Sequence, residues 1–406
     1  MKSKDAESQW KRNLGFLCIA QFVAMVGMSS CVPFLPFFVR ELGVTNFKEA
    51  QLWSGFVHSG PFFLSIIAVP FWGTMGDKYG RKLMIVRAIF GLSISVALMG
   101  LSQNVWHLFW LRILQGAISG YIAATLAYVS ANTPQERAGY AIGLLQSAQS
   151  AGNILGPFLG GIITDIGGIR QVFFINGILT AIAGVLVVKF VRREKFERGK
   201  NVSSSPVRNL KYVLKRPKLR MILLILVLSQ VGIVFVTPVL PFFIESLQAP
   251  PAYLASITGV MVGIVGVFNI LFAPYWGNRA GKTDYKKNLR IASIVSGAVI
   301  LLHLVAWHYL MLLPLRIGLG IFFAAYAPIL YTELNKSAPA ENKGGIMGLA
   351  SSSMLLGSLL GLSFSGIVAS GFGMVWCFVI SGTLLGATAL VLRNSGENKV
   401  LITTGK

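Results

Sequence analysis

Acidic side chains are scarce. Fourteen Asp and Glu face 36 Lys and Arg in 406 residues, and charged residues of both signs make up 12% of the chain. An ordinary soluble domain carries about 25%, so this chain has too little charge to cover a soluble surface of its size. Disorder needs low hydrophobicity with high charge. It is excluded by 54% apolar residues and a mean hydropathy of +0.68. Three cysteines cannot staple a secreted scaffold. Cys18, Cys31 and Cys377 fall in predicted helices and read as small apolar residues. An enzyme needs convergent acid, base or metal groups. His58, His107, His303 and His308 have no acidic neighbours inside the apolar runs. Neither an enzyme, nor a metal site, nor a cofactor is expected.

What is present is long uncharged runs: 13–39, 50–76, 88–111, 113–135, 138–164, 171–188, 221–244, 246–278, 291–315, 317–332 and 344–392. A bilayer core about 30 Å thick takes about 20 residues of helix. The first ten runs hold one helix each, with 317–332 drawing on its flanks. The last holds two, broken near Ser370-Gly371-Phe372-Gly373. An all-α membrane protein with twelve transmembrane helices follows, because a helix satisfies its own backbone in lipid. A barrel would alternate with period two, and these runs do not. The first run lacks an Ala-x-Ala cleavage site and reads as a retained helix.

An even number of spans puts both termini on one side. Only Arg40, Lys48 and Arg170 fall in loops on the other side, and Arg112 and Arg316 fall within helices; the remaining Lys and Arg all lie on the terminus side. The positive-inside rule makes that side cytoplasmic. The net charge of +22 therefore faces anionic lipid, and nucleic acid is not an expected partner.

The sequence repeats itself at an offset of 204–205. Val32-Pro33-Phe34-Leu35-Pro36-Phe37-Phe38 returns as Thr237-Pro238-Val239-Leu240-Pro241-Phe242-Phe243, Pro70-Phe71-Trp72-Gly73 as Pro274-Tyr275-Trp276-Gly277, and Leu111-Arg112-Ile113 as Leu315-Arg316-Ile317. Pro134 matches Pro339, and Gly143, Gly152 and Gly156 match Gly348, Gly357 and Gly361. The expected organisation is a six-helix bundle over 1–191, a basic cytoplasmic linker over 192–218 and a pseudo-symmetric six-helix bundle over 219–406. Parallel repeats of this kind place a substrate site between the halves, with access alternating as they rock.

Three motifs carry a resemblance. Gly73-Thr74-Met75-Gly76-Asp77-Lys78-Tyr79-Gly80-Arg81-Lys82 has the fixed glycines, acid and basic pair of a tight turn between spans 2 and 3. Its copy, Gly277-Asn278-Arg279-Ala280-Gly281-Lys282-Thr283-Asp284, has decayed. It lacks the spacing of a phosphate-binding loop, so nucleotide binding is rejected. Arg112-Ile113-Leu114-Gln115-Gly116 puts a permanent cation roughly 6–9 Å inside span 4, a depth at which an ionisable group suggests function. In span 5, Gly143, Gly152, Gly156, Pro157, Gly160 and Gly161 form a small-residue stripe with a proline. Together with Trp10-Lys11-Arg12-Asn13-Leu14, Pro33–Val44 and Pro70–Arg87, these resemble the major facilitator superfamily, in its twelve-span drug:proton antiporter group. The likeness runs through the whole chain and is strongest over 10–165.

The resemblance implies a major facilitator fold and a monomer in a bacterial inner membrane. It implies proton-coupled export of lipophilic or amphiphilic compounds, with small molecules, protons and membrane lipids as partners. It gives Gly73, Asp77, Gly80, Arg81 and Lys82 a latch role, links Arg112 to proton coupling, and makes the span 5 glycines an antiporter motif that marks exporters. Narrow export of a cellular product such as a siderophore or lysolipid, and nutrient symport, are the alternatives. Many such antiporters use a membrane carboxylate, yet no acid lies at the centre of a predicted span here. His58, with a reference pKa of about 6.5, is the substitute candidate for the proton beside Arg112; Asp77 and Glu245 are weaker ones. Met25, Gln146, Gln149, Gln230, Asn269 and Tyr326 are candidate cavity residues, because soft and aromatic walls adapt to varied ligands. Without a buried acid, neutral, zwitterionic or anionic compounds fit better than cations.

Overall fold

The computed structural model describes residues 2–192, 206–282, 284–339 and 343–394, and side chains over somewhat less. Most of the basic linker and the side chains over 280–283 of the decayed motif lie outside the described residues. The described chain is helical throughout, with no strand among the described residues. The twelve expected helices are α1 Gln9–Glu41, α2 Phe47–Tyr79, α3 Arg81–Gly100, α4 Val105–Asn132, α5 Ala138–Gly167, α6 Ile169–Phe190, α7 Pro217–Val234, α8 Pro251–Arg279, α9 Tyr285–Val305, α10 Tyr309–Ser337, α11 Gly345–Phe372 and α12 Met374–Leu392. Eleven of these are long and apolar enough to cross a membrane. The other, α5, has the length (30 residues) but a lower hydropathy, because glycines, Gln146, Gln149 and Asn153 dilute its apolar residues.

Glycine and proline set the boundaries. Gly80, at φ +102°, separates α2 from α3, and its N–H closes on the Gly76 carbonyl at 3.0 Å. Gly373, at φ +98°, separates α11 from α12. Both positions take the left-handed region, which a glycine enters without steric cost. Asn46 caps α2 by accepting from the amides of Lys48 and Glu49, and Asn104 caps α4 through the amide of His107.

The repeat is structural as well as textual. α4 breaks at Ser119-Gly120 between Val105–Ile118 and Tyr121–Asn132; α10 breaks at Ala324-Ala325 between Leu312–Phe323 and Tyr326–Ser337. Trp72 Nε1 donates to the Ala117 carbonyl at 2.8 Å, and its repeat mate Trp276 donates to the Ile321 carbonyl at 2.8 Å. Seven-residue helices at Leu35–Glu41 and Leu240–Ser246 form another matched pair.

Two compact units emerge. One takes Met1–Val202, Thr237–Gly266 and Leu362–Met374; the other takes Ser203–Val236, Val267–Gly361 and Val375–Lys406. In the first unit α1 packs on α5 and α6, α2 on α4, and α3 on α6. In the second unit α9 and α10 pair, and α7 packs on the latter part of α10.

Candidate functional site

The proline ring of Pro61 has no N–H, so the Val57 carbonyl four residues earlier has no helical donor. Arg112 uses it: Nε donates to that carbonyl at 3.0 Å, while Nη1 donates to Gln115 Oε1 at 2.7 Å. Arg112 is 8% exposed and thus shielded from both water and lipid. The approach that makes this possible depends on two glycines. A Cβ on Gly60 would stand 2.9 Å from Arg112 Cβ, and one on Gly116 would meet the Pro61 backbone, 2.7 Å from its carbonyl carbon. The span 4 motif thus works as a unit. Arg112 supplies charge, Gln115 satisfies it, and Gly116 lets α2 come close.

His58 lies one residue beyond Val57 and is 2% exposed. Its Nδ1 faces the Ser54 carbonyl at 2.7 Å and its Nε2 faces the Val32 carbonyl of α1 at 3.0 Å. A neutral imidazole has one donor and one lone pair, whereas the imidazolium has two donors. The neutral ring can donate to one of these carbonyls at a time, and the imidazolium to both. His58 and Arg112 therefore occupy one buried polar pocket of the first unit.

Asn176 of α6, which the sequence reading missed, closes the other side of α1 at this level by donating to Cys31 Sγ at 3.1 Å and to Ser30 Oγ. The only signal for it was a lone amide within an apolar run.

The span 5 motif divides its glycines between two neighbours. Gly152, Gly156 and Gly160 face α1. A Cβ on Gly152 would stand 2.6 Å from the Phe22 carbonyl oxygen, one on Gly156 2.8 Å from that of Val26, and one on Gly160 2.8 Å from the Ser30 carbonyl carbon. Ser29 Oγ bridges the two helices by donating to the Gly152 carbonyl at 3.1 Å. Gly161 and buried Pro157 face the first half of α8 instead. A Cβ on Gly161 would lie 2.7 Å from the Ala255 carbonyl oxygen, and one on Gly259 would meet the Pro157 backbone, 3.0 Å from its carbonyl carbon. Gly143 has open space around it. Asp165 completes this contact. Its carboxylate accepts from the amides of Ala255 and Ser256 at 3.1 and 2.8 Å and so caps the start of α8.

At the turn between α2 and α3, Gly73 is exposed, Asp77 pairs with Arg81 at 3.5 Å, and Arg81 Nη1 also donates to the Ala127 carbonyl at 3.1 Å. Lys82 Nζ donates to the Val188 carbonyl at 2.9 Å, in the last turn of α6. Cations at helix C-terminal carbonyls are favourably placed.

The cavity candidates separate. Met25 is buried against Gly152, Gln146 is exposed, and Gln149 Oε1 accepts from Gln21 at 3.4 Å, all in the first unit. Gln230 donates to Ser358 Oγ at 2.9 Å, Asn269 is half-buried, and Tyr326 OH meets Ser293 Oγ at 3.1 Å, all in the second. Of the weaker proton candidates, Glu245 receives two hydrogen bonds from Arg40 Nη1 at 2.7 and 2.9 Å.

The chain matches the family description "Major Facilitator Superfamily" over residues 17–283 and 229–401. It is 32% identical over 405 residues to the multidrug resistance protein MdtG of Enterobacter lignolyticus, covering 98% of this chain and 96% of that one. Against MdtG of Escherichia coli it is 32% identical over 397 residues, covering 96% of each. The crystal structure of the nucleoside transporter NupG superposes with a TM-score of 0.77 at 14% identity, covering 95% of this chain and all of that one. The relatives and fold neighbours are transporters rather than enzymes. The chain belongs to the major facilitator superfamily and is an integral membrane transporter built on that fold.

Proposed function

We propose that this transporter exports lipophilic or amphiphilic small molecules from a bacterial cell in exchange for protons, as a monomer in the inner membrane with both termini cytoplasmic. The substrate class rests on the relatives named multidrug resistance proteins. The export direction rests on the span 5 motif, and the orientation on the distribution of Lys and Arg. His58 is the observation that carries the coupling. Its two ring nitrogens each face a carbonyl at hydrogen-bond distance, one of them on α1, the buried Arg112 stands in the same unit, and no carboxylate lies mid-span.

In this reading the loaded ring joins α2 to α1 through the Val32 carbonyl. Release of the proton leaves one ring nitrogen with its lone pair toward a carbonyl and loosens that joint. Arg112, held by Val57 and Gln115, keeps a fixed charge beside it. Among the cavity candidates, Gln146 and Gln149 in the first unit and Gln230, Asn269 and Tyr326 in the second offer polar contacts.

The test is a susceptibility and accumulation panel in cells lacking their own pumps, with Arg112→Ala and Gly156→Leu as inactive controls. Wild type lowers accumulation of several lipophilic compounds, and the effect vanishes when the pH gradient is collapsed. Equal accumulation in all strains would reject export of such compounds. Export that persists without the gradient would reject proton coupling.

A further inference from the structure

The second half keeps the buried cation and drops what satisfies it in the first. Arg316 stands 204 residues after Arg112 and is 9% exposed. Its Nε and Nη2 meet no hydrogen-bond acceptor among the described residues. Both of Arg112's acceptors are lost at the repeat positions. Leu319 replaces Gln115. Val265 replaces Pro61, so no proline frees a backbone carbonyl from the helix ladder. The nearest substitute for a counter-charge is also missing. Glu333, the acid of α10, pairs with Lys218, and it lies about 25 Å along the helix axis from Arg316 at 1.5 Å per residue. Asp284 precedes α9 at its far end, where its carboxylate caps the amide of Lys286, and α12 contains no acid.

A second buried polar atom of the same unit is also unpaired among the described residues. His303, at the end of α9, is 1% exposed and stacks on Phe378 of α12 with ring centroids 5.7 Å apart. Nδ1 faces the Val299 carbonyl at 2.8 Å, and Nε2 has no partner among the described residues. The charge of Arg316 reaches this ring. Both residues belong to the second unit. Unpaired buried charge is strongly unfavourable unless it is matched by an opposite charge or by hydrogen bonds. The decay of both acceptors, with retention of the guanidinium, calls for an acceptor from outside the chain.

We propose that Arg316 binds a small monovalent anion inside the second six-helix bundle, either chloride or the carboxylate of an organic compound. The anion accepts from Nε and Nη2. His303 Nε2, unpaired in the same unit, offers an acceptor for a water or hydroxyl that accompanies the anion.

A ligand that binds only the folded state raises its thermal midpoint. The purified full chain in detergent is therefore unfolded by heat in sodium chloride, sodium acetate and sodium sulfate at fixed ionic strength and pH. The midpoint is expected to rise saturably with chloride, with acetate, or with both, relative to sulfate. A chloride-only rise identifies an inorganic ion; an acetate rise identifies a carboxylate. Arg316→Gln is expected to abolish the rise. Leu319→Gln restores the acceptor that Gln115 supplies to Arg112, and it should raise the half-saturating anion concentration at least ten-fold while leaving the protein folded. No anion-specific rise in the wild type would overturn the proposal. So would an unchanged response in Arg316→Gln or, if that variant fails to fold, in Leu319→Gln. The readout needs no transport, so it stands or falls separately from proton-driven export.

Discussion

Pro61 decides where Arg112 can put its charge. By vacating the Val57 carbonyl it creates an acceptor inside α2 that no side chain advertises. Pro61→Ala returns an N–H to that carbonyl and makes the helix bond compete with the guanidinium. A hydrogen bond to a charged group is worth about 1.5–3 kcal/mol. Efflux is therefore expected to fall about ten-fold or more, while the thermal midpoint in detergent holds or rises. A lower midpoint with intact efflux would remove the role given to Pro61. His58→Gln keeps a polar side chain but cannot carry the proton, so it should separate exchange from drive: substrate counterflow persists and gradient-driven export stops. Arg112, Gln115 and His58 were legible in the sequence, because buried charge and amide groups stand out in an apolar run. Their backbone partners were not, because a carbonyl has no letter. The proline four residues on was the available clue.

The glycines of α5 show how far spacing reads at the level of an element. Their four-residue period gave the stripe in advance, but not that Gly152, Gly156 and Gly160 face α1 while Gly161 faces α8. A helix repeat specifies a face, and the partner of that face depends on tertiary packing. The contrast with Gly143 is testable. Gly156→Ala puts a Cβ 2.8 Å from the Val26 carbonyl oxygen and 2.9 Å from the Ser30 nitrogen. Overpacking of this kind costs about 1–3 kcal/mol, and the midpoint should fall. Gly143→Ala meets open space and replaces glycine by a better helix former, a gain of up to about 1 kcal/mol. Its midpoint should hold or rise. Equal shifts in the two variants would contradict the packing assigned to this helix. The cap from Asp165 to α8 was illegible for a related reason. A carboxylate at a helix end does not say whose amides it meets.

Duplication governs the whole molecule. The offset of 204–205 was readable in the letters, and it reappears in the matched breaks of α4 and α10 and in the paired Trp72 and Trp276 hydrogen bonds. It also sets opposite charges at equivalent places. Arg40 and Glu245 are 205 residues apart and form an ion pair at 2.7 Å. With side chains 43% and 37% exposed, the pair adds about 0–1 kcal/mol to stability, so its reversal should act on transport more than on folding. Arg40→Glu and Glu245→Arg each set like charges together and should impair efflux; the double swap should restore it. A double variant no better than either single one would make the pair incidental. The repeat diverges where Gln115 becomes Leu319, so the buried arginine finds a side-chain acceptor in the first half and none for Nε and Nη2 among the described residues of the second.

The central claim is that His58 carries the exchanged proton. The most direct measurement is substrate-induced proton movement in proteoliposomes of the purified chain, read with a pH dye inside the vesicles. Wild type should acidify or alkalise the lumen as the substrate gradient is reversed, and His58→Gln should give no proton signal while still exchanging substrate. A proton signal of wild-type size in His58→Gln would contradict the account.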